Sequence, residues 1–147
     1  MQSTMMNVPL TTAAILRHGS RVHATARVRT LQPDGSVKVG TFADVGRRSA
    51  QLAHALRACG VTGDERVATL MWNNQEHVEA YCAVPSMGAV LHTLNPRLTP
   101  EQLIYIANHA DDRVVIVDGT LAPLLAAVLP HLAGVRTVVV TGAVDLA

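Results

Sequence analysis

The sequence predicts an α/β fold, in which an N-terminal helix and a β-hairpin precede a mostly parallel β-sheet with flanking helices. Aliphatic strand-like runs alternate with segments of helical periodicity, and four predicted strands begin at the nearly even positions 66, 90, 113 and 136. Strand–helix–strand units in series connect through right-handed crossovers into a parallel sheet. Hydrophobic residues make up 49% of the chain and aromatic residues only 3%, so the core must be aliphatic, as in buried parallel sheets.

The first part of the chain, residues 1–40, predicts a helix and a hairpin. Thr11 offers a capping hydroxyl for a short helix over 10–18. The letters QPDG at 32–35 predict a tight turn, because Pro fixes one backbone angle and Gly permits a positive one. The flanking segments alternate in polarity, which predicts two strands, over 24–30 and 36–40, with one solvated face.

Residues 41–147 predict strand–helix units. The first helix begins at Thr41, whose hydroxyl can accept a free backbone N–H, and it stops at Gly60. A later helix begins at Thr99 with Pro100 in its first turn. The strands are predicted over 66–71, 90–94, 113–117 and 136–140, and the helices between them over 74–87, 99–109 and 121–132. Two prolines, Pro85 and Pro130, should end or distort their helices.

The stretch after the second strand of the parallel set is a candidate ligand-binding segment, because ligands of α/β sheets gather at the carboxyl ends of strands. It reads HTLNPR at 92–97. In the simpler interpretation, Asn95 and Pro96 form a turn and Arg97 pairs with a nearby acid. In the alternative, His92 or Arg97 faces a substrate channel.

Two other segments have structural interpretations. After the strand over 66–71, Asn73 or Asn74 caps the next helix, and Trp72 fills the core or an interface. In that helix we expect Glu76, His77 and Glu79 on the wetter part, with His77 a surface or second-layer residue.

The sequence lacks the short motifs of most enzyme active sites. There is no GxxxxGK[ST] or GxGxxG phosphate loop, no HExxH metal pair and no GxSxG nucleophile turn. The letters VTGA at 140–143 follow a strand, but no further glycines stand behind them. Cys59 and Cys82 form no CxxC pair and are predicted to be ordinary buried thiols. We therefore predict no catalytic, cofactor-binding or metal-binding residue in this chain.

Charge and hydropathy exclude several classes of partner. The net charge is +1 and the charges are interspersed, which argues against a nucleic-acid binder. Arg47 and Arg48 are predicted to lie on a solvated helix face. Residues 1–8 have no basic segment before an apolar run, and the most apolar stretch, 114–129, is interrupted by polar residues, glycine and proline. Neither a signal peptide nor a transmembrane segment is expected.

Four blocks in order resemble the AMP-forming, adenylate-forming acyl-CoA synthetase superfamily, and within it the bacterial medium- and long-chain fatty-acid–CoA ligases. The resemblance extends from about residue 10 to residue 140. The blocks are TFADV at 41–45, GDERVATL at 63–70, EHVEAY at 76–81 running into AVPSMGAV at 83–90, and LHTLNPRL at 91–98 followed by EQLIYIANHA at 101–110.

The resemblance implies an enzyme that joins a fatty acid to ATP as an acyl-adenylate, releases pyrophosphate and passes the acyl group to CoA. It also implies Mg²⁺, ATP and CoA for the full-length enzyme. The phosphate loop, the adenine and ribose motifs, the hinge and the catalytic lysine of such enzymes come later in their chains and have no counterpart here. We therefore expect residues 1–147 to be a partial N-terminal domain, inactive alone, with an unpaired edge on its last strand.

Further expectations concern partners and location. The resemblance favours a homodimer through the N-terminal region and a cytoplasmic protein, with peripheral membrane association as an alternative. A second hypothesis is a stand-alone α/β module that binds a partner or a nucleotide without turnover.

Overall fold

The computed structural model describes residues 4–144 and confirms the predicted α/β fold. Its helices and strands follow the predicted order, and a 3₁₀ turn flanks α5 on each side. The elements are α1 Thr12–Val22, β1 Arg27–Leu31, β2 Val37–Thr41, α2 Phe42–Ala58, β3 Arg66–Leu70, α3 Gln75–Ser86, β4 Val90–Thr93, α4 Pro100–Ala110, β5 Asp112–Asp118, α5 Ala122–Val128 and β6 Thr137–Thr141.

The central sheet has four parallel strands in the order β4-β3-β5-β6. Helices α2 and α3 cover one face, where Leu56 and Val84 pack on Val67. Helices α4 and α5 cover the other face, where Leu103 and Leu125 form a separate buried cluster with Val115. Strand β5 is buried on both faces, which explains its unbroken aliphatic run. Strand β6 has a neighbour on one side only, so the predicted edge is present within the described residues.

Local signals in the sequence account for the helix ends. Thr41 and Thr99 each form a capping box with the residue three positions later. Asn74, one of the two predicted caps, accepts a hydrogen bond from the backbone N–H of His77. Helix α2 ends at Ala58, next to Gly60, whose φ is +90°. These ends depend only on neighbouring residues, so the sequence predicts them well.

The hairpin is a two-stranded antiparallel sheet that lies against α3. Its outer face exposes Leu31, Val37 and Val39, which confirms the predicted solvated face. Its inner face approaches α3 so closely that a Cβ on Gly40 would lie 2.1 Å from the Oε1 atom of Gln75. Helix α1 packs on α2 and α3, and it continues to Val22, beyond its predicted end.

Several burial predictions are wrong. Glu79 and His77 are buried, although both were expected on the wetter part of α3. The reason is that α3 contacts α1, α2 and β1 as well as the sheet, so little of its surface faces water. Trp72 is 46% exposed and does not fill the core, while the alternative that it fills an interface stays a prediction. Cys59 is exposed, while Cys82 is partly buried and burial raises the pKa of its thiol.

No helix within residues 4–144 is long and apolar enough to cross a membrane.

Candidate functional site

A cleft of about 540 Å³ lies at the carboxyl edge of the sheet, between the sheet and the hairpin. Its position is the one where α/β proteins gather ligands. The hairpin, the loop after β3 and the carboxyl ends of β5 and β6 all contribute to its walls. The residues that matter most for its geometry are Lys38, Trp72, Asn74, Asp118, Thr120 and Gly142.

A chain of hydrogen bonds joins the loop after β3 to the carboxyl end of β5. The Trp72 indole donates to the Thr120 hydroxyl at 3.0 Å, and that hydroxyl donates to the Asp118 carboxylate at 2.7 Å. The other carboxylate oxygen of Asp118 accepts from the Asn74 amide at 3.1 Å. Asn74 also caps α3 through its amide oxygen. One carboxylate therefore fixes the positions of two loops that form the cleft.

His77 contacts the loop after β3 from its buried side. Its Nδ1 atom lies 3.2 Å from the Trp72 carbonyl oxygen, and its Nε2 atom lies 2.9 Å from the Thr69 hydroxyl. The ring packs on Tyr81 at a centroid distance of 5.0 Å. Burial lowers the pKa of His77, and the hydrogen bond to the Trp72 carbonyl opposes that shift only in part. The ring therefore links the buried strand β3 to the exposed loop at the cleft.

Charged side chains join the hairpin, α2 and α3 at one side of the cleft. The Arg48 guanidinium donates to the buried Glu79 carboxylate at 2.6 Å, and Lys38 pairs with Glu76. Hydrogen bonding to Glu79 raises the pKa of Arg48. Burial disfavours the charged form of Glu76. The hydrogen bond and charge of Lys38 and the charge of Arg48 outweigh this effect of burial, so the pKa of Glu76 is lowered. Arg47 is exposed as predicted, whereas Arg48 serves this network.

The structure places His92 away from the cleft. Its Nδ1 atom lies 3.0 and 2.9 Å from the two carboxylate oxygens of Asp112, which begins strand β5. Asp112 is fully buried, and burial raises the pKa of its carboxyl group against the opposing effect of His92. His92, in β4, thus pairs with a buried carboxylate at the amino end of β5 and is not among the residues that line the cleft.

Arg97 lies in the predicted turn. Its backbone N–H donates to the Asn95 side chain at 3.0 Å, which is the geometry of an Asx turn. The predicted pairing of Arg97 with an acid is wrong, because its exposed guanidinium is in none of the ion pairs found among residues 4–144. Whether either residue faces a substrate channel stays a prediction.

The cleft offers hydrogen-bonding groups and one ion pair. No Ser, Cys or His stands among the described residues that line it. Likewise, no three His, Cys, Asp or Glu side chains in the described part of the chain are close enough to hold a metal ion together. The sequence interpretation missed Asp118 and Thr120, although an acid at the end of a buried strand, followed by Gly119, is a signal that points to this edge.

Comparison with known proteins identifies the family. The family described as "AMP-binding: AMP-binding enzyme" matches residues 13–147. The chain is 40% identical over 145 residues to the 3-methylmercaptopropionyl-CoA ligase of Ruegeria pomeroyi, covering 99% of this chain and 27% of that protein. It is 44% identical over 138 residues to the long-chain-fatty-acid–CoA ligase of Thermus thermophilus, covering 94% of this chain and 26% of that protein.

Solved structures agree with the sequence relatives. The anthranilate CoA ligase AuaEII, in complex with anthranoyl-AMP, superposes with a TM-score of 0.82 at 26% identity, over 97% of this chain and 27% of that one. A benzoate CoA ligase from Burkholderia xenovorans superposes with a TM-score of 0.78 at 25% identity, over 91% of this chain and 26% of that one. This chain spans about a quarter of the length of these relatives. It belongs to the family of AMP-binding enzymes, in which the relatives that it resembles are CoA ligases.

Proposed function

We propose that this chain is the N-terminal part of a fatty-acid–CoA ligase. The proposed reaction of the whole enzyme joins a fatty acid to ATP as an acyl-adenylate with release of pyrophosphate, and then transfers the acyl group to the CoA thiol with release of AMP. The observation that carries the proposal is identity to CoA ligases over almost the whole chain, at 40% and 44% for two of them.

The proposed substrate is a medium- or long-chain fatty acid. Ligases named for long-chain and medium-chain fatty acids are 44% and 38% identical to this chain. The relative named for 3-methylmercaptopropionyl-CoA is similarly close at 40%. These three acids share an aliphatic chain, so an aliphatic carboxylate is the broader form of the proposal.

We assign the described residues the role of a scaffold rather than of a chemical centre. The Asp118 and Glu79 networks hold the carboxyl edge of the sheet in a defined shape. ATP, Mg²⁺ and CoA are proposed ligands of the whole enzyme. Because residues 4–144 provide no set of side chains that fits a metal ion, no step of the reaction is assigned to Mg²⁺ here.

An exchange assay tests the proposal. The purified chain should show no fatty-acid-dependent exchange of pyrophosphate into ATP, because stabilising a transferring phosphoryl group needs aimed donors and a metal. A chimera in which this chain replaces the matched segment of the Thermus thermophilus ligase should regain the exchange and form acyl-CoA. The same ligase without that segment is the control. A folded chimera that activates no fatty acid, or robust exchange by the chain alone, would contradict the proposal.

We further propose that the protein forms a homodimer through its N-terminal region. None of the α1 residues is buried, and the outer face of the hairpin exposes Val37 and Val39 by about half. Replacement of these two valines by lysine should lower the mass measured by sedimentation equilibrium. Lysine at the similarly exposed Val90, on β4, is the matched control and should leave the mass unchanged. A cytoplasmic location stays a prediction.

A further inference from the structure

Two hydrogen bonds define the protonation state of His77. The Nδ1 atom faces the Trp72 carbonyl oxygen at 3.2 Å. A carbonyl only accepts, so Nδ1 must carry a hydrogen. The Nε2 atom faces the Thr69 hydroxyl at 2.9 Å, and in the neutral ring this nitrogen accepts while the hydroxyl donates. The contacts therefore select the neutral tautomer with its hydrogen on Nδ1.

A second proton on this ring has no favourable place. Thr69 is fully buried and His77 is 8% exposed. A hydrogen on Nε2 would have to donate to the Thr69 hydroxyl, whose own hydrogen would then lose its acceptor. An unpaired buried polar group and a desolvated charge both oppose that state. In agreement, burial lowers the pKa of His77 below its ordinary value of 6.5.

The charged and titratable groups around the ring do not compensate for a proton. On its own helix the ring packs against Tyr81. Among the described residues that line the groove of about 300 Å³ beside the ring, Arg29 of β1 is the one charged side chain, and it is exposed to solvent. From α2, Arg48 is bound to Glu79. Beyond the loop, Asp118 is engaged by hydrogen-bond donors. The groove leaves a protonated ring a path toward water.

The ring is linked directly to the cleft through Trp72. The Trp72 carbonyl accepts from His77, while its indole donates to Thr120 at 3.0 Å on the wall of the cleft. If the ring moves into the groove, the Trp72 carbonyl loses the hydrogen bond from His77 and keeps the one from the Asn74 N–H. The same residue thus contacts the imidazole through its backbone and the wall of the cleft through its indole.

We propose that His77 is a positioning residue for the carboxyl-edge cleft. The neutral ring holds Trp72 on the wall of the cleft, and gain of a proton moves the ring into the groove beside β1 and releases the indole from Thr120. This inference depends on the contacts of the described residues and is independent of the proposed ligase reaction.

Trp72 is the one tryptophan of the chain, so its fluorescence reports on the proposal without a label. Emission and quenching by acrylamide are measured as the pH is lowered, with far-ultraviolet circular dichroism to confirm that the chain stays folded. We expect a single step with its midpoint below 6.5, in which emission moves to longer wavelength and quenching increases. A folded chain without such a step would overturn the proposal.

Two variants separate the two hydrogen bonds. His77→Asn keeps a donor near the Trp72 carbonyl and cannot titrate, so it should keep the neutral emission and lose the step. His77→Gln keeps an acceptor for the Thr69 hydroxyl but no donor for the carbonyl, so it should show the acid-form emission already at neutral pH. His92→Gln, which changes a histidine outside the cleft that is paired with Asp112, should keep the step. Persistence of the step in His77→Asn contradicts the inference.

A measurement on the unmodified chain keeps the inference testable if the variants do not fold. The nitrogen chemical shifts of ¹⁵N-labelled histidine distinguish the two neutral tautomers. At neutral pH the His77 ring should carry its hydrogen on Nδ1, and the shifts should change to those of the cation across the fluorescence step. A ring with its hydrogen on Nε2 at neutral pH would rule out the proposed geometry.

Discussion

Replacing Asn74 by alanine should destabilise the fold by removing two hydrogen bonds at once. The Asn74 amide oxygen accepts from the His77 N–H at 2.9 Å and caps α3. Its amide nitrogen donates to Asp118 at 3.1 Å and ties the loop after β3 to the end of β5. The alanine side chain makes neither bond, and it leaves one Asp118 oxygen without this donor.

The magnitude follows from the two contacts. An N-cap contributes about 1 kcal/mol to the stability of a helix. The bond to the carboxylate contributes a further ~1 kcal/mol, because Asp118 is partly exposed and solvent screens its charge. The expected loss is about 2 kcal/mol, or roughly 4–8 °C in the melting temperature for a chain of this size.

Urea denaturation followed by circular dichroism measures the loss, and two variants partition it. Asn74→Ser keeps a capping oxygen but does not reach Asp118, so it should lose about half as much. Thr99→Ala removes the cap of α4 and should cost about 1 kcal/mol. A double-mutant cycle with Asp118→Ala should give a coupling free energy of about 1 kcal/mol between Asn74 and Asp118.

The cycle also defines the result that would refute the reasoning. A coupling free energy near zero would mean that the amide and the carboxylate do not interact in solution. If Asn74→Ala unfolds at the same urea concentration as the unmodified chain, neither the cap nor the tie contributes to stability, and the described geometry of the cleft is not maintained by this residue.

Three further changes have expected outcomes of their own. Gly119→Ala should cost about 1–3 kcal/mol in urea denaturation, because its Cβ would lie 2.1 Å from the Ala143 carbonyl oxygen; an unchanged midpoint would contradict that close approach. Leu103→Ala, in the core, should cost about 2–5 kcal/mol, whereas Tyr105→Ala on the exposed face of α4 should cost far less; equal losses would contradict the packing. Burial raises the pKa of Asp112, so its stabilising effect is present at low pH and is lost as the pH rises through the folded-state pKa. As the pH rises from acid toward neutrality, Asp112→Asn should therefore become more stable relative to the unmodified chain. If the unfolding midpoints of the two proteins change in parallel with pH, the Asp112 carboxyl is not the source of the pH dependence.

Local chemistry explains the parts of the fold that could be predicted. A capping hydroxyl such as that of Thr41 or Thr99 acts on a backbone group three residues away, and the turn at 32–35 needs only its own residues. The aliphatic run of β5 likewise indicates burial on both faces, whatever covers them. The position of the cleft was predictable in part, because strands that lie parallel end at one edge.

The errors occur where contacts between distant segments decide burial. Helix α3 has polar residues that predict a solvated face, yet α1, α2 and the hairpin cover that face and bury Glu79 and His77. Trp72 would fill a core on composition alone, but a hydrogen bond to Thr120 holds it at the wall of the cleft. Cys59 follows the last turn of α2 at the surface. None of these outcomes is visible in residues close in sequence.

The amino-acid sequence by itself determined the order of the helices and strands, most of their ends and the parallel direction of the sheet, because capping, turn formation and apolar periodicity act over a few residues. Only the tertiary structure decided the strand order β4-β3-β5-β6, which brings Asp118 beside Asn74, and the helix packing that buries His77. Those outcomes depend on the total free energy of many contacts between distant segments, so no short stretch of sequence specifies them.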